Sequence, residues 1–284
     1  MHSAEYELFI LVGCIVYIGA LIAYRKSEVL RKSIENNAPL FFVFIIFLIL
    51  WDILTLKSGK LPLPFFPWPD KVLNALVNDR RVLFISVLHS LRLLGLGYIA
   101  GASVGFITGT LMGWYKGISY WLMPIMRALG PIPAVTLIPI IMILFPTSFA
   151  GSVFLIALAV WFPVTLLTYS GIQNVNNAYF EVAKTLGAKE KYMILNVAIP
   201  GALPHIFLGL FQGITVACVT LIVAEMMGVK AGLGWYITWA TGWAEYDKVY
   251  ASLLIILITF SGVITLLFKV RNKFLSWQKG VIKW

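Results

Sequence analysis

Charged residues are scarce in this chain of 284 residues, which contains 22 Lys and Arg but only 12 Asp and Glu. Charged residues form 12% of the sequence and hydrophobic residues 60%, whereas soluble domains carry about 25% charged residues. A water-soluble fold of this length could not bury so much apolar surface. The composition therefore excludes an ordinary soluble protein and predicts an integral membrane protein.

Residues that build metal and catalytic centres are also rare, with three His and two Cys in the whole chain. Cys14 and Cys218 lie in apolar runs, which predicts buried thiols rather than a disulfide. His89 and His205 have no partner at metal-ligand spacing. No cluster of His, Asp and Glu and no nucleophile pair suggests an active site, so we expect no catalytic, metal-binding or cofactor-binding residues.

A net charge of +10 can indicate nucleic-acid binding in a soluble protein. This chain has no long basic run and no RNA-binding motif, so we expect no nucleic-acid partner. We expect the positive charge to lie in cytoplasmic loops, as in other multi-pass membrane proteins. The acidic N-terminus, MHSAEYE, does not resemble a secretory signal.

Several apolar segments are long enough to cross a bilayer, which requires about 20 residues in a helix. The candidates are Leu8–Tyr24, Pro39–Leu56, Leu93–Trp114, Trp121–Phe145, Phe149–Ser170, Ile206–Ala224 and Val249–Phe268. With the N-terminus outside, cytoplasmic segments hold thirteen Lys and Arg residues and outer segments hold seven. This bias favours an outer N-terminus and a cytoplasmic C-terminus.

These spans divide the chain into four expected parts. The parts are the N-terminal transmembrane helices (1–60, with helices at 8–24 and 39–56), an outer connecting segment (61–84), a core (85–270) with a polar loop (176–204), and a basic cytoplasmic tail (271–284). In the outer segment, Asp70 is expected to cap a short surface helix with Val72, Ala75 and Leu76 on its apolar side.

One transmembrane segment carries glycine at every fourth position. The glycines are Gly101, Gly105, Gly109 and Gly113. Such a stripe forms a smooth helix face that permits close packing. It predicts either tight packing inside one subunit or a seam between two subunits.

The segment Glu181–Pro200, EVAKTLGAKEKYMILNVAIP, interrupts the apolar sequence with five charged residues in eleven positions. We call it the 181–200 loop. Asn176 or Asn177 can cap a helix that enters it. An apolar stripe at helical spacing follows, formed by Tyr179, Ala183 and Leu186.

Gly187 is expected to end this first helix, because glycine tolerates the left-handed conformation of a helix C-terminus. A second short helix is expected from about Lys189 to Val197, with Pro200 ending it and Pro204 preceding the next span. The segment therefore predicts a helix, a turn and a helix with an apolar ridge, a shape that fits a groove of another protein.

The 181–200 loop resembles the EAA motif of ABC importer permeases, which reads Glu-Ala-Ala, three residues, Gly, nine residues and Ile-x-Leu-Pro. Glu181-Val182-Ala183 is followed by Gly187, and Val197-Ala198-Ile199-Pro200 ends the motif at the family spacing. The differences replace one apolar side chain with another. Two further stretches, RALGPIPAVTLIPIIMILF and AEMMGVKAGLGWYI, are similar to the nitrate/sulfonate/taurine branch. A departure is Leu144-Phe145-Pro146, where that branch usually has Trp-Phe-Gly.

The resemblance implies an all-α, polytopic protein of the prokaryotic cell membrane. Its fold would be the six-helix core of a type I ABC importer permease plus one extra N-terminal transmembrane helix. The expected partners are two ABC ATPase subunits that bind ATP and Mg, a second permease chain, most simply an identical one, an extracytoplasmic substrate-binding protein, and the lipid bilayer. The chain itself has no G-x-x-x-x-G-K-[ST] loop, so ATP hydrolysis is assigned to the separate subunits.

The resemblance also assigns roles to individual residues. ATPase coupling falls to the residues of the 181–200 loop that match the motif: Glu181, Val182, Ala183, Leu186, Gly187, Ile199 and Pro200. For Glu181 the alternative is an ion pair with Lys184 or Lys189. A substrate pathway or gate is suggested for Arg127, Pro131, Pro133, Pro139, Glu225, Gly232 and Gly234. For Arg127 the alternative is a side chain that reaches the lipid headgroups, and for Glu225 one that reaches water.

The function that these features predict is transport of a small anion, such as a sulfonate or taurine, nitrate or bicarbonate, by alternating access. The alternative is a self-contained channel or ion-coupled carrier. A carrier usually needs broken helices or buried acidic ion sites near the middle of the membrane. None of the acidic residues is expected at mid-span, which favours the importer permease.

Overall fold

The computed structural model describes residues 39, 42–43, 45–130 and 132–276. Within these residues the chain is helical and contains no strand. Residues 45–52 are helical and continue into a π-helical segment, Ile53–Lys57. The α-helices that follow are α1 (Pro69–Asn78), α2 (Arg80–Trp114), α3 (Lys116–Leu129), α4 (Ile138–Leu144), α5 (Ser148–Gln173), α6 (Asn177–Thr185), α7 (Glu190–Met193), α8 (Ile199–Gly228), α9 (Leu233–Gly242) and α10 (Tyr246–Phe274).

Four helical stretches of the described chain are long and apolar enough to cross a membrane. They are α2, α5, the continuous helix Glu190–Gly228 that includes α7 and α8, and α10. Lys116–Leu129 and Ala134–Leu144 would form a fifth span if they cross together. The two helices are bent by 82° relative to each other. The predicted segment Trp121–Phe145 is therefore divided by a sharp bend. The predicted span Leu8–Tyr24 lies outside the described residues, and Pro39–Leu56 is only partly described.

Pro200 does not end a helix, so that prediction is wrong. A π-helical segment, Ile194–Ala198, ends two residues before it. The N–H of Ile199 bonds to the carbonyl of Ile194, five residues earlier. This local change of hydrogen-bond pattern accommodates a proline, which has no N–H and whose ring clashes with the regular helix. Pro204 likewise lies inside α8.

The turn predicted at Pro146-Thr147-Ser148 is present. Thr147 has an extended backbone and precedes α5, and its hydroxyl accepts a hydrogen bond from the Ala150 N–H at 3.2 Å. A threonine at this position satisfies one of the free N–H groups at a helix start. The side chain therefore fixes where α5 begins.

The contacts divide the chain into two units, of which the first contains the described residues up to Phe84 together with Tyr236–Ile255. Its small core contains Val72 and Ala75 of α1 and Ala251 of α10, as the apolar pattern of α1 predicts. Asp70 is not the cap of α1. The N-cap is Trp68, because Pro69 occupies the first turn, where its fixed φ suits a helix start.

A polar cluster stabilises this unit. The hydroxyl of Tyr236 donates to Oδ2 of Asp79 at 2.6 Å, and Nζ of Lys248 lies 3.3 Å from the same oxygen. Lys248 also pairs with Glu245 at 2.9 Å. Burial and the hydrogen bond to Asp79 raise the pKa of Tyr236, so the phenol stays protonated and able to donate.

The second unit contains Ile85–Trp235 and the residues from Ile256 onward. Its main core is formed by three helices. The buried residues are Leu93 and Leu94 of α2, Ile156, Val160 and Val164 of α5, and Ile214, Ala217, Cys218 and Leu221 of α8. Cys218 is buried, as predicted, and Cys14 lies outside the described residues.

The glycine stripe of α2 packs against α5 of the same chain. A Cβ on Gly101 would collide with the carbonyl oxygen of Ala157. A Cβ on Gly105 would lie 2.9 Å from Cβ of Val164, and one on Gly113 would lie 2.8 Å from Cβ of Ile172. The stripe therefore serves packing inside one subunit, the first of the two alternatives.

Candidate functional site

The 181–200 loop begins with α6, which Asn176 caps. The side chain of Asn176 accepts from the Ala178 N–H at 3.0 Å, so Asn176 rather than Asn177 is the cap. Gly187 follows the helix with a φ of +78°. Its N–H bonds to the carbonyl of Lys184 at 2.9 Å, and the Ala188 N–H bonds to that of Ala183 at 3.0 Å. Gly187 therefore ends α6 as predicted.

The loop lines an open groove of about 1070 Å³. The stripe Tyr179, Ala183 and Leu186 lines it, together with residues from the start of the next helix. Tyr179 is 64%, Val182 59%, Leu186 82% and Tyr192 57% exposed. The predicted apolar ridge is therefore one wall of a groove. Exposed apolar side chains gathered in one concavity are typical of an interaction surface.

Glu181 lies on the exposed side of α6. Within the described part of the chain, Glu181 forms no ion pair with Lys184 or Lys189, the two lysines expected as its alternative partners. Its carboxylate is therefore available to a partner. Ile199 packs against the buried cluster at the base of the loop, and Pro200 lines the groove.

Glu225, Gly232 and Gly234 form one buried cluster at the opposite end of the helix Glu190–Gly228. Glu225 has no exposed surface. Its Oε1 accepts from the Ser90 hydroxyl at 2.7 Å and its Oε2 from the Gly234 N–H at 2.8 Å. The Leu233 N–H donates to Oγ of Ser90 at 3.0 Å. The first N–H groups of α9 are thus capped by Glu225 and Ser90, which stabilises the helix end.

The two glycines make room for this carboxylate. Gly232 has a φ of +123°, and a Cβ there would collide with the carboxylate of Glu225. A Cβ on Gly234 would lie 2.8 Å from Cβ of Glu225. The three residues therefore form a structural unit with Ser90, which the sequence pattern did not identify. Glu225 does not reach water, and its role in a gate stays a prediction.

The other pathway candidates are not part of this cluster. Arg127 is exposed in the last turn of α3, where a cation suits the negative end of the helix. Pro133 precedes a 3₁₀ turn, Ala134–Leu137, and Pro139 lies in the first turn of α4. Both prolines are exposed. Pro131 lies outside the described residues. The pathway role of these residues stays a prediction.

No group of three or more His, Cys, Asp and Glu residues in the described part of the chain could hold a metal ion. The polar chemistry of the described chain is instead that of helix capping and of contacts between helices. The long apolar helices and the exposed, charged loop together are those of a multi-pass membrane protein.

Comparisons with known proteins identify the family. Residues 97–275 match the family described as "Binding-protein-dependent transport system inner membrane component". The chain belongs to this family, whose members are multi-pass permeases of ABC importers and act with separate ATPase subunits and a binding protein. Such permease components are not enzymes.

Two relatives and one solved structure are similar to this chain. It is 32% identical to the putative aliphatic sulfonates transport permease protein SsuC of Bacillus subtilis, over 65% of this chain and 67% of the relative. It is 25% identical to the nitrate import permease protein NrtB of Synechococcus elongatus, over 85% and 89%. A chain of the MetNI methionine ABC transporter in inward-facing conformations matches with a TM-score of 0.55 and 15% identity, over 69% and 98%. The last similarity supports the fold.

Proposed function

We propose that the chain is the permease subunit that passes a small anion from an extracytoplasmic binding protein to the cytoplasm by alternating access, driven by ATP. The observation that carries this proposal is the exposed apolar groove of the 181–200 loop. Four large side chains are exposed to solvent there, and their burial against a partner would remove apolar surface from water.

The partner that fits this groove is an ABC ATPase subunit on the cytoplasmic side. Glu181, Val182, Ala183, Leu186, Gly187, Ile199 and Pro200 are the coupling residues. Two ATPase subunits would bind ATP and Mg and would move the loops of two permease chains, most simply identical ones. In this arrangement the loop and the C-terminus face the cytoplasm and the N-terminus faces outside. The described helices would then switch as largely rigid bodies.

The candidate substrates are aliphatic sulfonates or taurine, nitrate and bicarbonate. Two relatives carry sulfonates and nitrate in their names, and these ions share a small size and negative charge. The positive N-terminal end of α9 is occupied by the chain's own Glu225. An anion would therefore be recognised elsewhere, by Arg127 or by the binding protein.

The test of the docking surface is co-purification of the ATPase with the full chain. Leu186→Asp places a charge in the middle of the groove and is expected to abolish co-purification, whereas Leu186→Met keeps an apolar side chain and is expected to retain the ATPase. Equal recovery of the ATPase with both variants would contradict the docking role. If the native chain recovers no ATPase and still conducts solute alone, the channel or carrier alternative is correct.

The substrate is tested with the complete transporter in liposomes. ATP hydrolysis is measured with the binding protein and each of taurine, an alkanesulfonate, nitrate and bicarbonate. We expect one of these anions to stimulate hydrolysis and to accumulate inside. A response to none of them would exclude the proposed substrate class.

A further inference from the structure

The C-terminal end of α2 is hydrogen-bonded to the 181–200 loop. The indole Nε1–H of Trp114, the last residue of α2, donates to Oε1 of Glu190 at 2.7 Å. The Trp114 ring also contacts the ring of Phe180 edge to face, with centroids 5.6 Å apart. Phe180 belongs to α6 and Glu190 to α7. A single side chain therefore contacts the helices on both sides of the Gly187 turn.

The same end of α2 shares an apolar core with the base of the loop. Trp114 packs against a cluster of buried residues, which are Ile172, Val175, Ala198, Ala202 and Ile206. Nε2 of Gln173 donates to the carbonyl of Gly113 at 2.9 Å. The end of α2 and the base of the loop are thus packed as one body.

Closer to its N-terminal end, α2 also forms hydrogen bonds with the continuous helix Glu190–Gly228. The hydroxyl of Tyr98 donates to the carbonyl of Leu210 at 3.0 Å, and Ser90 donates to Glu225 at 2.7 Å. Positions fall along α2 as they rise along Glu190–Gly228, so the two helices run antiparallel. Polar contacts link them near both ends and between, and Trp114 is the link that lies at the loop.

We propose that Trp114 and Glu190 are positioning residues that transmit movement of the 181–200 loop to α2. The inference rests on the proposed function, in which an ATPase moves this loop. Apolar contacts alone permit sliding, whereas a hydrogen bond to a carboxylate is directional and about twice as strong as one between neutral groups. Displacement of α7 by the ATPase would therefore pull the end of α2 with it.

The experiment follows hydrogen exchange in the full permease with its ATPase, in lipid nanodiscs, with and without ATP and vanadate. In the native complex we expect nucleotide to change exchange both in the loop and in residues 108–116. Trp114→Phe keeps a ring but loses the donor, and Glu190→Leu loses the acceptor. In both variants the response of residues 108–116 is expected to fall by about threefold or more, while the loop still responds.

Two matched variants separate this contact from general packing. Glu190→Gln keeps an oxygen that accepts the indole N–H and is expected to restore most of the response. Trp121→Phe changes an exposed tryptophan of α3, which contacts Tyr120, and is expected to respond as the native chain does. A native-like response in Trp114→Phe, or a loss in Glu190→Gln equal to that in Glu190→Leu, would overturn the inference. Absence of a loop response in the native complex would instead overturn the proposed function.

Discussion

The Ser90 hydroxyl donates a 2.7 Å hydrogen bond to Oε1 of Glu225, a residue 135 positions away, in a site closed to solvent. Ser90 in turn accepts from the Leu233 N–H, and Glu225 accepts from the Gly234 N–H. Two side chains from different helices therefore replace the missing intrahelical partners at the start of α9. This arrangement joins α2, α8 and α9 at one point.

Removal of the carboxylate should destabilise the protein. Glu225→Ala removes the buried acceptor of the Ser90 hydroxyl and of the Gly234 N–H, and loss of a hydrogen bond to a buried charged group costs about 1–3 kcal/mol. Glu225→Gln keeps one acceptor and should cost less. The measurement is the thermal unfolding midpoint of the purified protein in detergent. The effects of Ser90→Ala and Glu225→Ala should be less than additive, because both break one network. Full additivity would show that the two residues act independently.

Two glycines of α2 should respond oppositely to the same change. Gly101→Ala drives a methyl group into the Ala157 carbonyl and should destabilise the packing of α2 on α5. A Cβ on Gly95 meets no atom within 4 Å, so Gly95→Ala should be neutral or should stabilise the helix by up to ~1 kcal/mol. Thermal unfolding of the two variants checks this. A similar loss in both would show that the close approach at Gly101 does not matter.

The turn at Gly187 should depend on backbone conformation alone. Its φ is +78° and a Cβ there would meet nothing within 4 Å. Gly187→Asn should therefore retain ATPase binding, because asparagine tolerates the left-handed region, whereas Gly187→Val should weaken it. The strain of a branched residue there is about 1–2 kcal/mol. ATPase binding is measured by titration of the purified subunits, and equal affinities for both variants would contradict the prediction.

The Tyr236 hydroxyl should stabilise the protein in a pH-dependent manner. Burial and the hydrogen bond to Asp79 raise its pKa above the usual 10.0. The stabilisation is therefore fully present below about pH 10, the pKa of an unfolded tyrosine, and declines as the pH rises further. Tyr236→Phe should lower the unfolding midpoint at pH 8, and the difference from the native chain should shrink above pH 10. A difference that grows with alkaline pH would contradict the assigned direction.

Local features of the sequence predicted local features of the structure. The cap at Asn176, the turn at Gly187, the break at Pro146 and the small helix with Val72 and Ala75 buried each depend on residues within about one or two helical turns. The glycine and proline spacing of the 181–200 loop also identified the family. Four of the predicted spans match described helices because hydropathy over a long window is a strong signal. They are Leu93–Trp114, Phe149–Ser170, Ile206–Ala224 and Val249–Phe268.

Contacts between distant parts of the chain cannot be predicted from local sequence features in the same way. Nothing local indicates that Ser90 pairs with Glu225 or that Trp114 pairs with Glu190, because such contacts depend on how helices pack. Proline usually stops a helix, which predicts a helix end at Pro200, but the preceding π-helical segment overrides that tendency. The bend within Trp121–Phe145 has no local signal, because hydrophobicity alone does not show whether an apolar segment is straight.

The length of the continuous helix Glu190–Gly228 determines whether the side chains at its two ends can both reach their partners on α2. Glu190 faces Trp114 at one end and Glu225 faces Ser90 at the other. Each added residue rotates everything beyond it by about 100°, since a helix has 3.6 residues per turn. A single insertion or deletion in α8 would therefore turn one of the two carboxylates away from its donor. Length, as well as residue identity, is expected to be under selection along this helix.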